Sequence, residues 1–229
     1  MSQAETAVTP PRLRRWRRWL ALLVVVTTLA VFHRPLLWLA ALALVVDEPA
    51  DRAEVVVIIG AQRDYDQIAD RNRAGAHILL VREKPGRLER LGVVPTIEEI
   101  TRRELTSRNV PVSALSVACA EPWDETGFAR AVRAWLTDHP GSRAIILANR
   151  LSSRRMRWCL NSELGKEADR ASVKSVAHPW YDETNWWHRK EGLSSVVHGY
   201  LGLGWLLAFG ESPDFGEADV ETIRGGPAE

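Results

Sequence analysis

Little in this 229-residue chain marks a catalytic centre of a familiar kind. Only two cysteines occur, Cys119 and Cys159, far apart and each beside an apolar run. That excludes a disulfide framework and a thiolate metal cluster; two buried thiols are expected, and a bridge would form only if the fold brought them together. No HExxH, CxxC or GxSxG motif is present, and the six histidines show no ligand spacing. No metal is therefore expected. The first apolar strand ends in a single glycine rather than a dinucleotide fingerprint, and no Lys-Ser/Thr phosphate loop follows, so no cofactor is expected either. Net charge is also scarce, at +1. Five arginines against Glu5 give residues 1–18 a charge of +4, which leaves −3 for the remainder. A chain without an extended basic surface is a poor nucleic-acid binder, and nucleic acid is not expected as a partner.

Long apolar runs are present. Trp19 to Phe32 is 14 uncharged residues, about 21 Å of helix, short of a hydrocarbon layer of roughly 30 Å. Starting near Trp16 and ending near Trp38 supplies the length, with Arg17 and Arg18 at one interface and His33 and Arg34 at the other. Pro35 suits a kink or a new first turn. The arginine cluster ahead of this segment places the N-terminus in the cytoplasm. The expected organisation is then a cytoplasmic basic tail over 1–18, a transmembrane helix and juxtamembrane segment over 19–46, an extracytoplasmic α/β domain over 47–209 and an acidic, disordered tail over 210–229. The lipid bilayer is the expected partner. A second apolar stretch, Leu193 to Phe209, is glycine-rich and contains His198. Its expected place is against the domain or the bilayer surface.

Between these stretches the pattern alternates. "AEVVVIIGAQ" reads as a buried strand ending at Gly60, and "RDYDQIADRNRAGA" as a helix closing near Gly75. "HILLVRE" predicts a second strand, "PTIEEITRRELTSRN" a helix opened by Pro95 or Thr96, and "SALSVACA" a third strand. "DETGFARAVRAWLTDHPGS" predicts a helix capped by Asp124 and stopped at Pro140-Gly141. "RAIILAN", an arginine-rich helix and "SVKSVAHP" complete the series. Short continuous apolar strands alternating with helices predict a Rossmann-like three-layer sandwich with a mainly parallel sheet, here preceded by the transmembrane helix. Ligands in such sheets sit beyond the carboxyl ends of the strands. Gly60 to Arg63, Glu83, Glu121 to Glu125 and Asn149 to Arg154 all fall there.

The order of short motifs resembles the SanA/ElyC/YdcF-like family. "LALVVDEPADRAEVVVIIGAQRDYDQIADRNRAGA" is similar to its entry segment, with Arg63, Asn72-Arg73 and Gly75 in place and Ala61 where a second glycine is usual. "PWDETGFARAVRAWL" is similar to a helix start in which Glu125 takes the acidic position. Where the family reads Thr-Ser-x-Tyr/Phe-His-x-Arg-Arg, this chain has Ala148, Asn149 and Ser152 before Arg154-Arg155, so the histidine is missing. "WYDETNWWHRKEGL" resembles the family's Trp-Trp segment, while His198 and Gly202 stand where Glu and Lys are usual. The resemblance implies an inner-membrane protein with a periplasmic domain that handles an anionic envelope metabolite or a lipid-linked precursor. Without the histidine, acid–base work would fall to Glu121, Asp124 or Glu125, each needing a raised pKa. Weak or absent catalysis is expected. The alternatives are a hydrolase of a phosphate- or glycan-linked lipid using Arg63, Glu125, Asn149 and Arg154, and a non-catalytic scaffold.

The arginines after the fourth strand sharpen the question. Arg150 and Arg154 lie one helical turn apart at a helix start whose free amides could hold a phosphate. Gly60, Arg63, Asn149, Arg150 and Arg154 are thus the expected ligand-binding set, with Asp124 and Glu125 the catalytic candidates. The competing expectation is that the arginines only pair with nearby carboxylates, each exposed pair contributing about 0–1 kcal/mol.

Overall fold

A computed structural model describes residues 11–49, 53–60 and 65–209. Five strands form one parallel sheet: β1 (Val55–Ile59), β2 (His77–Arg82), β3 (Leu115–Cys119), β4 (Ala144–Asn149) and β5 (Ala171–Val176), in the order β3-β2-β1-β4-β5. Register aligns Val55 with both His77 and Ala144, and Ala144 with Ala171. Because side chains alternate across a strand, the Val-Ile runs feed two cores at once. Val55, Val57, Leu79, Val81, Ile146 and Val173 face α5 (Glu125–Asp138) and α6 (Ser153–Leu164). Val56, Ile58, Ile78, Leu80, Ile145 and Leu147 face α2 (Tyr65–Arg73), with Ile68, and a helix over Ile97–Ser107 that contributes Leu105. The α/β sandwich with a parallel sheet is as expected.

Local signals set the helix ends. A short α3 (Arg87–Arg90) precedes α4 (Ile97–Ser107), which opens on a reciprocal cap: the Glu99 amide donates to Thr96 Oγ1 at 3.1 Å, and the Thr96 amide to Glu99 Oε2 at 2.8 Å. Asp124 caps α5 by accepting from the Gly127 amide at 2.7 Å. The helix ends at Asp138, ahead of Pro140-Gly141, and Gly141 takes a positive φ of 87°.

The membrane expectation is corrected. Among the described residues, one helix is long and apolar enough to cross a membrane, and it is α7 (Lys190–Phe209), which follows the sheet rather than preceding it. The N-terminal helix α1 (Pro11–Leu42) holds Pro35, and its uncharged run stops at Phe32, before His33 and Arg34. Its last turns belong to the domain: Leu37, Ala41 and the following Leu44 pack with Leu151, Tyr181, Trp186 and Val196. Trp186 Nε1 donates to the Leu37 carbonyl at 3.1 Å, and the Tyr200 hydroxyl to that of Ala40 at 2.7 Å. A single N-terminal span, a cytoplasmic N-terminus and a periplasmic main domain are therefore not carried forward. Residues 1–10 and the 210–229 tail lie outside the described residues.

Along α7, one stripe packs on the domain and the opposite stripe does not. Gly192, Val196, Gly199, Gly202 and Leu206 recur every three or four residues and are buried. The glycines permit close approach: a Cβ at Gly199 would lie 2.9 Å from Leu44 Cδ1, and one at Gly202 would collide with the Arg155 guanidinium. Leu193, Val197, Tyr200, Leu201, Trp205, Leu207 and Phe209 are exposed.

Candidate functional site

The strand order reverses direction between β1 and β4, and that junction is where a doubly wound sheet opens a crevice at its carboxyl edge. Gly60 ends β1 with φ 61°. A Cβ there would meet the Trp123 ring at 3.4 Å, and Trp123 in turn packs edge-on against Phe128, with ring centres 4.6 Å apart. The indole thus covers the backbone at Gly60. Arg63 lies outside the described residues.

At the end of β4 the arginine-rich helix does not start directly. A 3-10 turn over Arg150–Ser152 comes first, and α6 begins at Ser153. This changes the fate of the amides that an anion would use. The Leu151 amide donates to Asn149 Oδ1 at 3.1 Å, the Ser153 amide to the Arg150 carbonyl, and the Arg154 amide to the Leu44 carbonyl at 3.1 Å. Ser153 Oγ accepts from the Val46 amide at 2.7 Å. The segment between α1 and β1 has seated itself on the helix start. A phosphate would have to displace it.

The guanidinium groups are similarly engaged. Arg150 donates from Nε to Glu183 at 2.6 Å, and Glu183 is buried. Arg157 meets Glu48 at 3.0 Å and the Ala171 carbonyl at 2.5 Å. Arg154 is exposed and donates to the Val45 carbonyl at 3.3 Å. Arg155, outside the expected ligand-binding set, forms the most enclosed pair: it holds Glu125, with side-chain exposures of 13% and 12%, and donates to the His198 carbonyl on α7 at 3.4 Å. Buried pairing of this sort ties α5, α6 and α7 together. Residue spacing along one helix could not reveal it, since the partner stands 30 positions away.

Among the carboxylates put forward for chemistry, Asp124 is shifted in the direction acid–base work requires. Burial pushes its carboxyl up, opposed by the Gly127 amide, and the neighbouring Glu125 adds to the rise. Its Oδ1 is nevertheless occupied as the α5 cap. Glu121 pairs with Lys84 at the surface. Both cysteines are free, Cys119 exposed and Cys159 buried; burial beside Glu125 pushes the Cys159 thiol up to about 12, so it stays protonated and inert at neutral pH. No group of three or more His, Cys, Asp or Glu among the described residues could hold a metal ion.

A different place remains open. Arg34, Pro35 and Trp38 of α1 face Thr184, Trp187 and His188 across an open hollow of about 490 Å³. Sequence reasoning assigned Arg34 and Trp38 to a membrane boundary; the clue to the hollow was "WWHRK", where indoles stand beside three basic side chains.

Comparison with known proteins adds no identity: no protein family, curated protein or solved structure matches this chain. The SanA/ElyC/YdcF-like assignment read from short motifs is thus unsupported, and it is set aside.

Proposed function

We propose that this protein is a non-catalytic, membrane-contacting α/β domain, a scaffold unit that sits on lipid through the outer face of α7. The observation that carries the reading is the split character of that helix. One stripe is packed on the sheet layers, while Leu201, Trp205, Leu207 and Phe209 expose 56%, 47%, 61% and 64% of their surface. A continuous apolar stripe left uncovered marks a surface made for lipid or protein. At about 1.5–3 kcal/mol for each large apolar side chain removed from water, a few of them suffice for stable attachment. A helix fastened along one side to a soluble layer lies along an interface more readily than it crosses one.

The non-catalytic part rests on the engaged state of the candidate groups. Glu125 is bound to Arg155, Arg150 to Glu183, and Asp124 to its own helix start. General acid–base catalysis needs a group within reach of substrate and free to exchange a proton. Handling of an anionic metabolite at Arg150 and Arg154 would require breaking the contacts with Glu183 and with the 44–46 segment.

Co-flotation of the full chain with neutral phosphatidylcholine vesicles tests attachment. The parent floats, and Leu201→Glu together with Leu207→Glu lowers the bound fraction at least tenfold, since two apolar anchors of roughly 1.5–3 kcal/mol each are removed. A parent that stays at the bottom of the gradient defeats the membrane reading. Turnover of a phosphoester or pyrophosphate that disappears in Asp124→Asn defeats the non-catalytic one.

A further inference from the structure

The hollow between α1 and the turn ahead of α7 has the composition of a phosphate site at a membrane boundary. Its cation is Arg34, whose guanidinium is engaged by no hydrogen bond or ion pair among the described residues. This contrasts with Arg150, Arg155 and Arg157, which each hold a carboxylate. Opposite Arg34 stands the exposed His188, followed directly by the exposed Arg189 and Lys190 at the start of α7. Of the two carboxylates just ahead of Thr184, Glu183 is bound to Arg150, and Asp182 accepts from the Thr184 hydroxyl at 2.6 Å and from its amide at 2.8 Å. The lining of the hollow itself carries Arg34 and no carboxylate.

Two indoles, Trp38 and Trp187, wall the space, and apolar side chains continue from it on both helices. Leu36 and Leu39 are exposed on α1, Leu193 and Val197 on α7. A cation, two indoles and exposed aliphatic side chains side by side suit the head-group boundary of a lipid leaflet, along which α7 lies. A volume of about 490 Å³ is in the range that small-molecule sites occupy.

We infer that this hollow binds the phosphate of an anionic phospholipid head group, with Arg34 donating two parallel N–H bonds to its oxygens and His188 contacting it from the opposite wall. The inference rests on the membrane-contacting reading of α7 and adds a lipid preference to it. The planar, two-pronged guanidinium suits a phosphoryl group better than an ammonium does.

Flotation of the full chain is measured on neutral phosphatidylcholine vesicles and on the same vesicles doped with phosphatidylglycerol. The parent prefers the doped vesicles. Arg34→Gln reduces that preference by about fivefold, the factor one arginine contributes near an anionic surface, and leaves neutral-vesicle binding unchanged. Arg34→Lys recovers only part of it. Arg103→Gln, an equal loss of charge on α4, is the control; if it reduces the preference as much as Arg34→Gln, the hollow is not the site. Equal binding of the parent to both vesicle types also overturns the inference and leaves the α7 attachment standing. No binding to either sinks the underlying reading and this one with it. Calorimetric titration with inorganic phosphate separates the sources. Saturable phosphate binding lost in Arg34→Gln, with the vesicle preference intact, assigns the hollow to a soluble phosphate ester and overturns the lipid assignment.

Discussion

Arg150 and Arg155 at the carboxyl rim of the sheet, and Arg157 further along α6, each reach a carboxylate that lies far away in the sequence, and the chain after α1 takes the Arg154 amide at the α6 start. Along the edge built by α1 and α7, Arg34 meets no carboxylate among the described residues, and apolar side chains stand uncovered beside it. The two regions are made of similar residues. Their difference lies in whether partners are supplied by the fold, and that difference separates a joint from a docking surface. A dense run of arginines is the more conspicuous feature of the sequence and the less available one in the structure.

The contrast breaks most visibly at the most enclosed joint. Glu125→Gln or Arg155→Met leaves one charge of a nearly buried pair uncompensated, and each should lower unfolding free energy by about 3–5 kcal/mol in a denaturant titration. The double change Glu125→Leu with Arg155→Met should cost much less than the sum, because no charge is then stranded. A double variant as damaging as the sum would show that the two groups act separately.

Asp124 gives a middle-sized effect and a pH signature. Asp124→Ala removes the α5 cap and should cost about 1 kcal/mol. Asp124→Asn keeps the cap and removes the buried charge. Because the folded carboxyl is shifted upward, its contribution to stability is fully present below the unfolded carboxyl pKa and is lost as pH rises through the folded value. The difference in melting temperature, Asn variant minus parent, should therefore grow between pH 4 and pH 7. A difference that shrinks over that interval would mean that the carboxylate is stabilised as a charge.

The smallest effect sharpens the rim itself. Arg154 is exposed and makes one long bond to a carbonyl, so Arg154→Ala should change stability by less than about 0.5 kcal/mol and leave flotation on doped vesicles unaltered. A clear drop in vesicle binding would return the arginine helix to consideration as the anion site.

Much of the fold was legible. The Val-Ile runs of β1, β2 and β4, a helix start at Pro95 or Thr96 and the Asp124 cap are local features, and the strands, the Thr96 start and the cap appear where the residues indicated. The site was not legible in the same way. Helical spacing grouped Arg150 with Arg154, yet Arg155 holds the most enclosed pair because α5 and α7 close over it. The 3-10 turn at Arg150 to Ser152 shifts the helix start and turns the amides toward the chain arriving from α1. The misplaced membrane segment has a related cause. Composition showed two apolar stretches, but only packing distinguishes the turns of α1 that are buried in the domain from the stripe of α7 that is not.

What the sequence determined by itself is the part governed by neighbours a few residues apart: the strand and helix segments, helix starts such as the Asp124 cap, and the parallel sheet that their alternation implies. Tertiary structure alone decided which charges are neutralised and which apolar faces stay open. An ion pair such as Arg150 with Glu183 depends on two segments 33 residues apart meeting at a few ångströms, and no local pattern encodes that distance.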